Sequence, residues 1–413
     1  MNKVILRSIR SHSDPLLALF LGLLCLFIAY ATGFWTLFRL TYLIFAAIPL
    51  LWLWTRSMSK NLEVDISRGS SRLAQGGYLS TNITVRSTSW IPKIWLEVQD
   101  SSIPNSGLSR RIFTLSSKGV HGWNYRLKLS RRGLYKFGPV SIRVSDPFGF
   151  FERRIHFGEE VEVLVYPDPP DLPNFYLPPA SLQSEGKIRK PTSQITPNVS
   201  GVREYISGDS TNRFHWPATA RTGKPMVKLF DLDPSSDIWI ALDLSEGVDL
   251  GSGAESASEL AILATAAILK RMVMQKRSVG LIMSGATDVV HQPDRSRSHL
   301  GVAMESLALA DASGQVEMEE LLNREVRRFS RHTTVVCITS SSDVLWAQRL
   351  AKFRSRGLNA AAILISSESF GGESGAQNSL RRILTTSQIY TYGLSRGDVL
   401  SEALAAGRER LFQ

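Results

Sequence analysis

The hydrophobic grammar of the chain changes three times. From Pro15 to Gly33 the run PLLALFLGLLCLFIAYATG carries no charge, and from Phe34 to Trp54 a second apolar run carries only Arg39. At about 1.5 Å of rise per residue, each run roughly spans a hydrocarbon core of about 30 Å. The gap between them has room for a tight turn only, so 15–54 is predicted as a transmembrane helical hairpin. Residues 1–14 form a basic tail with Lys3, Arg7 and Arg10, while Arg56, Lys60, Arg68 and Arg72 follow the second run. Basic residues flank both ends and not the turn, which predicts a two-pass plasma-membrane protein with both termini and its main body cytoplasmic. Trp35, Tyr42, Trp52 and Trp54 suit an aromatic belt, and Arg39 can snorkel. A cleaved signal peptide is the competing reading; the second run following at once and the lack of an A-x-A site argue against it.

Residues 62–168 alternate apolar and polar over short spans such as LEVDI, STNITVRS, KIWLEVQD, NYRLKLS, PVSIRVS and VEVLVYP, separated by Gly, Pro, Ser and Asp. This spacing predicts an all-β, immunoglobulin-like sandwich. Residues 169–200 are proline-rich with little periodicity and read as an extended connector, since proline cannot donate into a ladder. Its Lys187, Arg189 and Lys190 are a solvated basic segment able to meet anionic lipid. From 237 to 413 strand and helix alternate. IWIALDLS, SVGLIMSG, TVVCITSS and NAAAILIS are continuously apolar, as strands covered on both faces are. DVVHQP reads as an edge strand, SQIYTYGL as the last strand, and helical patterns lie between. The expectation is an α/β doubly wound sheet.

Composition narrows the chemistry. A formal charge of +11 over 413 residues favours anionic surfaces and says nothing of fold. Cys25 and Cys337 lie far apart in apolar runs and build neither a disulfide framework nor a zinc site. The chain has no G-x-x-x-x-G-K-[ST], since Pro225 follows Gly223-Lys224, and no H-E-x-x-H or G-x-S-x-G. The seven histidines are scattered. His215 is the one to watch, with a structural hydrogen-bonding role weighed against that of a base.

Between the connector and the α/β region, residues 201–231 read GVREYISGDSTNRFHWPATARTGKPMVKLFD. Arg203, Glu204, Asp209, Arg213, Arg221 and Lys224 interleave with Tyr205, Phe214 and Trp216, with Gly208 and Gly223 among them. Buried ions need partners and aromatics seek burial, so this mixture suits a semi-buried network at a surface or junction. REYxxGD, R-x-x-W and ATARTGKPMVK resemble the signature of the bacterial "domain of unknown function 58" family. A second stretch, RRGLYKFGPVSIRVSDPFGFF, resembles another motif of that family through Arg132, Gly133, Asp146, Pro147 and Gly149; Asp-Pro followed by Gly is also simple turn chemistry. Pro217 departs from the family pattern, where a basic residue is common. The arginines can clamp Glu204, Asp209 or a neighbouring domain, or face outward with Trp216 as the anchor of a partner interface.

The opening strand of the α/β region and its element order resemble a von Willebrand factor A domain. The D-x-S-x-S loop of such domains holds a divalent cation, and here Asp243 and Ser245 match it while Gly247 replaces the second serine. Asp311-Ala312-Ser313-Gly314 supplies no threonine, and Thr339-Ser340-Ser341-Ser342-Asp343 lacks Thr-Asp-Gly. Mg²⁺ takes near-octahedral oxygen, so a degenerate site is expected, with capping by Asp243 and Ser245 as the alternative.

With the enzymatic motifs absent and the cation loop degenerate, no enzyme is expected and no cofactor beyond a possible Mg²⁺ at that loop; the resemblance implies an adaptor working with a MoxR-type AAA+ ATPase and a transglutaminase-like membrane protein to assemble or activate a membrane complex. The alternatives are a metal-dependent enzyme centred on Asp243 and a binder of anionic lipid or nucleic acid. Nucleic acid is disfavoured because acids accompany the basic residues and no recognised module is present.

Overall fold

A computed structural model of the chain describes residues 13–100, 110–177, 199–206, 214–230, 237–253, 255–330 and 333–405. It divides into two compact units, Met1–Asp168 and Pro169–Gln413.

The first unit begins with two apolar helices, α1 (Ser13–Thr32) and α2 (Trp35–Met58), packed against each other. Of these α2 is long and apolar enough to cross a membrane. Leu43, Leu50, Trp52 and Leu53 stand exposed along it, as lipid-facing residues do. Arg39 lies 5.6 Å from the Trp35 ring and Arg56 5.5 Å from that of Trp52, so each cation sits over an aromatic face.

Ten strands follow: β1 (Leu62–Arg68), β2 (Arg72–Ala74), β3 (Tyr78–Ser87), β4 (Lys93–Asp100), β5 (Arg110–Leu115), β6 (Val120–Lys128), β7 (Gly133–Phe137), β8 (Val140–Ser145), β9 (Glu152–Phe157) and β10 (Val161–Tyr166). They form antiparallel sheets β1-β3-β6 and β5-β4-β8-β9 and a small mixed sheet β2-β10-β7. Alternation decides which face is buried. Ile83 and Val85 of β3 meet Leu96 and Val98 of β4 and Ile142 and Val144 of β8 in one core. Met58, the last residue of α2, is 1% exposed in that same core, so the helix ends inside the β unit. Asp100 is wholly buried; Arg68 reaches it at 3.2 Å and the Tyr125 hydroxyl donates to it at 2.6 Å.

The second unit carries a hairpin, β11 (Val199–Glu204) and β12 (Met226–Phe230), with α3 (Trp216–Thr222) between its strands. Next come β13 (Ile238–Asp243), a miniature hairpin of β14 (Gly251–Ser252) and β15 (Glu255–Ser256), α4 (Ala257–Met274), β16 (Val279–Ser284), β17 (Val289–Asp294), α5 (Arg297–Leu309), α6 (Met318–Glu325), β18 (Thr334–Thr339), α7 (Leu345–Ser355), β19 (Asn359–Ile365), α8 (Asn378–Thr386), β20 (Tyr390–Leu394) and α9 (Leu400–Ala403). The six-stranded sheet runs β17-β16-β13-β18-β19-β20, parallel except for the edge strand β17. Every residue of β13, β16, β18 and β19 is buried. Ile240 and Leu242 face a core with α4 and α5, while Trp239 and Ala241 face one with α6, α7 and α8.

The start of the proline-rich stretch is docked, and that fixes where this unit begins. Leu172, Phe175 and Leu177 are buried in the α4-side core. Lys270 and Arg271 of α4 donate to the carbonyls of Pro169 and Pro173, and the Tyr392 hydroxyl donates to that of Tyr176. Residues 169–177 are thus a strap on the α/β unit; 178–198 of the expected connector, with Lys187, Arg189 and Lys190, lie outside the described residues, and its last two residues already belong to strand β11.

Candidate functional site

In an open parallel sheet, ligands collect at the carboxyl ends of the strands where the strand order reverses. Here β13 is followed by β16 on one side, and the chain then returns to place β18 on the other. The ends of β13 and β18 therefore mark the switch point, and they carry Asp243 and Thr339. Asp243 Oδ1 accepts from the Ser245 amide at 3.1 Å and from the Ser245 hydroxyl at 2.8 Å; Oδ2 accepts from the Thr339 hydroxyl at 2.7 Å. The network continues outward. Thr339 Oγ1 accepts from the Ser341 amide, Ser340 Oγ donates to the Val248 carbonyl, and Gln377 Nε2 bridges the carbonyls of Ser340 and Ile365. Ser245 and Gly314 close a parallel bridge beside it. Glycine is required there, because a Cβ at 314 would lie 2.8 Å from the Ser284 carbonyl oxygen.

This crown is inward-looking. Asp243 is 2% exposed and Thr339 not at all. Burial pushes the Asp243 carboxyl above its ordinary value, against the pull of its three hydrogen bonds. Burial and the nearby Asp243 charge push the Cys337 thiol up as well. The residues do not fit the divalent cation that a von Willebrand A-like loop implies. Among the described residues of this network Asp243 is the one carboxylate, both its oxygens are engaged and nearly buried, and Gly247 brings no hydroxyl. Among the described residues no group of three His, Cys, Asp or Glu is placed to hold a metal. A cleft of about 130 Å³ beside the crown, lined by Leu244, Met283, Thr287, Val289, Ser306 and Asp311 among others, falls below the ~300 Å³ at which small-molecule sites begin.

The signature segment has the opposite character. Tyr205, Phe214 and Trp216 form a ladder with successive ring centroids 5.4 Å apart, and Trp216 at its end is 70% exposed. His215 is the N-cap of α3, its Nδ1 accepting from the Ala218 amide at 3.1 Å, so the structural role holds for it. Pro217, the departure from the family pattern, sits in the first turn of α3, where a missing N–H is harmless. Gly223 ends the helix at φ 68°. Glu204 is paired by Lys224 at 2.9 Å across the hairpin, and Arg203 donates to the Glu204 carbonyl at 3.0 Å. Arg221 lies exposed in the last turn of α3. Gly208, Asp209 and Arg213 lie outside the described residues.

In the second motif, Asp146 accepts from the amides of Phe148, Phe150 and Phe151 at 2.7 to 3.2 Å, and Gly149 has φ 79°. The turn is held by these three bonds and leaves Phe148, next after Pro147, 73% exposed. Gly133 opens β7 at φ 131° beside Arg132.

The arrangement defines a class: an α/β sheet with a tied-off rim, carrying an aromatic hairpin and preceded by a β unit and apolar helices. Residues 201–366 match the family described as "Protein of unknown function DUF58", so the resemblance read from REYxxGD and ATARTGKPMVK holds over that stretch. Uncharacterized proteins of Mycobacterium bovis and Mycobacterium tuberculosis are 28% identical over 107 residues, 26% of this chain and 34% of theirs. The match thus spans about a third of the curated relatives' length. Among solved structures, proximal thread matrix protein 1 from the mussel byssus aligns over 41% of this chain and 46% of its own, at 13% identity and a TM-score of 0.31.

Proposed function

We propose that the protein is a membrane-anchored scaffold that acts through protein contacts and carries out no covalent chemistry. The observation behind this is the crown: where this fold offers ligand-binding groups, Asp243, Ser245 and Thr339 are spent on one another. The surface it offers instead is the hairpin, where an exposed tryptophan rises from a supported aromatic ladder, as interface anchors do. The finer architecture goes with this reading: a two-pass hairpin with both termini and the main body cytoplasmic, an immunoglobulin-like β unit and a von Willebrand A-like α/β unit. The partner that the family resemblance implies is a MoxR-type AAA+ ATPase, with a transglutaminase-like membrane protein in the same assembly, and Trp216 is the contact we assign to it. Affinity capture of the full-length chain from native membranes tests this. Recovery of such an ATPase, lost with Trp216→Ala, supports the scaffold; equal recovery by both proteins, or none by either, overturns it.

A further inference from the structure

Three loops share the end of the β unit at which α2 arrives. Leu62 of β1 pairs with Ser87 at the end of β3, Lys93 at the start of β4 with Leu115 at the end of β5, and Leu96 with Val144 near the end of β8. The β3–β4 loop, the β5–β6 turn and the β8–β9 turn therefore all lie at that end. They are tied to the helix exit by direct bonds. The Thr88 amide donates to the Asn61 carbonyl and the Lys118 amide to that of Ser89. Lys93, wholly buried, donates to the Ser57 carbonyl in the last turn of α2 at 2.6 Å, and Arg153 donates to Ser59 Oγ at 3.0 Å.

What these loops present is unusual for a surface bathed in water. Trp90 is 80% exposed, Trp95 56% and Phe148 73%, with Ile91 and Ile94 exposed beside them. The backbone is shaped to present them. Between the pairs Lys93–Leu115 and Leu96–Phe113, Ile94 and Trp95 oppose the single residue Thr114, a bulge that turns both outward while Lys93 and Leu96 stay buried. Trp95 adopts φ 53°, an outlying conformation for a bulky side chain, and strain held in this way marks functional positions. At the β8–β9 turn, Asp146 uses its carboxylate on three amides and so fixes Phe148 at the tip. Charge completes the pattern. Lys60 and Lys118 are exposed there, with the Lys118 ammonium 4.7 Å from the Trp90 ring, and residues 88–95 and 116–120 contain no acid.

We propose that Trp90, Ile91, Trp95 and Phe148 form a foot that lies in the headgroup layer of an anionic bilayer, beside the point where α2 leaves it. The occupant is lipid because the patch lies at the end of the β unit where the apolar α2 arrives, bonded to its last turn, and because tryptophan framed by lysine matches the headgroup level of an anionic membrane. The foot rests on the reading that α2 crosses the membrane, and it gives the second family motif a task beyond turn-making.

Depth labelling of the full-length chain tests it. Cys25→Ala removes the accessible thiol, since Cys337 is buried. An environment-sensitive fluorophore is then placed at Ile91→Cys, Phe148→Cys, Leu43→Cys, or Ser130→Cys at the opposite end of the β unit. The proteins are reconstituted in phosphatidylcholine–phosphatidylglycerol vesicles. The foot predicts that labels at 91 and 148 are quenched by lipids spin-labelled near the headgroup and several-fold less by aqueous iodide than the label at 130. Labels at 91 and 148 as open to iodide as that at 130 overturn it. If the label at 43 is then still quenched from the acyl interior, α2 spans and only the foot is wrong; if 43 is also open to iodide, the membrane reading falls with it.

Discussion

The Thr339 hydroxyl at the end of β18 donates to the Asp243 carboxylate at the end of β13 across 2.7 Å, joining two strands whose residues are 96 positions apart. With the two bonds from Ser245, it leaves Asp243→Ala with three buried donors and no acceptor. Near neutral pH this substitution is expected to lower stability by about 2–4 kcal/mol in chemical denaturation. Because burial raises the Asp243 carboxyl, the folded state holds its proton more tightly than the unfolded state. Wild-type stability therefore falls as pH rises from the ordinary carboxylate value toward the raised one, and Asp243→Asn should flatten that slope.

His291 sets a second pH response with the opposite sign. Burial, then the neighbouring His299, lowers its pKa, and its Nε2 lies 2.8 Å from Ser306 Oγ. The unfolded chain binds the proton more readily. The stability that the neutral ring contributes is present above about pH 6.5 and is lost as pH falls below it. Denaturation midpoints measured from pH 7 down to about pH 5 should fall less steeply for His291→Gln than for wild type.

Arg68 and Asp100 pair almost out of reach of solvent, with side-chain exposures of 6% and 0%. Asp100→Ala removes the counter-charge of a buried guanidinium, which keeps its bonds to the Phe137 and Gly138 carbonyls, and leaves the Tyr125 hydroxyl without its acceptor. A loss of about 3–5 kcal/mol is expected, and slower amide exchange in wild-type β1, β4 and β6 than in the variant is the signature.

Phe175 lies 5.4 Å from the Tyr392 ring, centroid to centroid, and is nearly buried. Phe175→Ala is expected to cost about 3–5 kcal/mol. Hydrogen exchange should quicken in α4 and β20 and stay unchanged in β3 and β8, because the strap belongs to the α/β unit; uniform quickening across both units would contradict that assignment.

Periodicity made much of this architecture legible. IWIALD, VGLIMS, TVVCIT and NAAAILI each became a fully buried parallel strand, and the apolar runs after Ser13 became paired helices. Strands β5 and β9 escaped because RRIFTL and ERRIHF look too charged to pair. Their charges are spent across the outer sheet face, where Arg110 meets Glu97 at 2.7 Å and Arg143 and Arg154 meet Glu152 at 2.6 and 2.7 Å. Helix α8 escaped because it is short and buries only Leu380 and Leu384. In the crown, Asp243 and Ser245 were readable from a local motif. Thr339 stands at a legible strand end, yet its partnership with Asp243 follows from strand order, which no local pattern carries. Proline composition concealed the strap, since Leu172, Phe175 and Leu177 stand among residues that read as solvated. Lys224, which composition alone did not set apart from the arginines, faces Glu204 directly across the hairpin.

Burial of Met58 and the hold of Lys93 on Ser57 have a mechanical consequence. A helix whose final turn is part of a folded core has no swivel at its end, so it works as a lever arm welded to its load. On the proposed reading that α2 crosses a bilayer, a thinner or thicker bilayer that leans α2 over leans the β unit through the same angle.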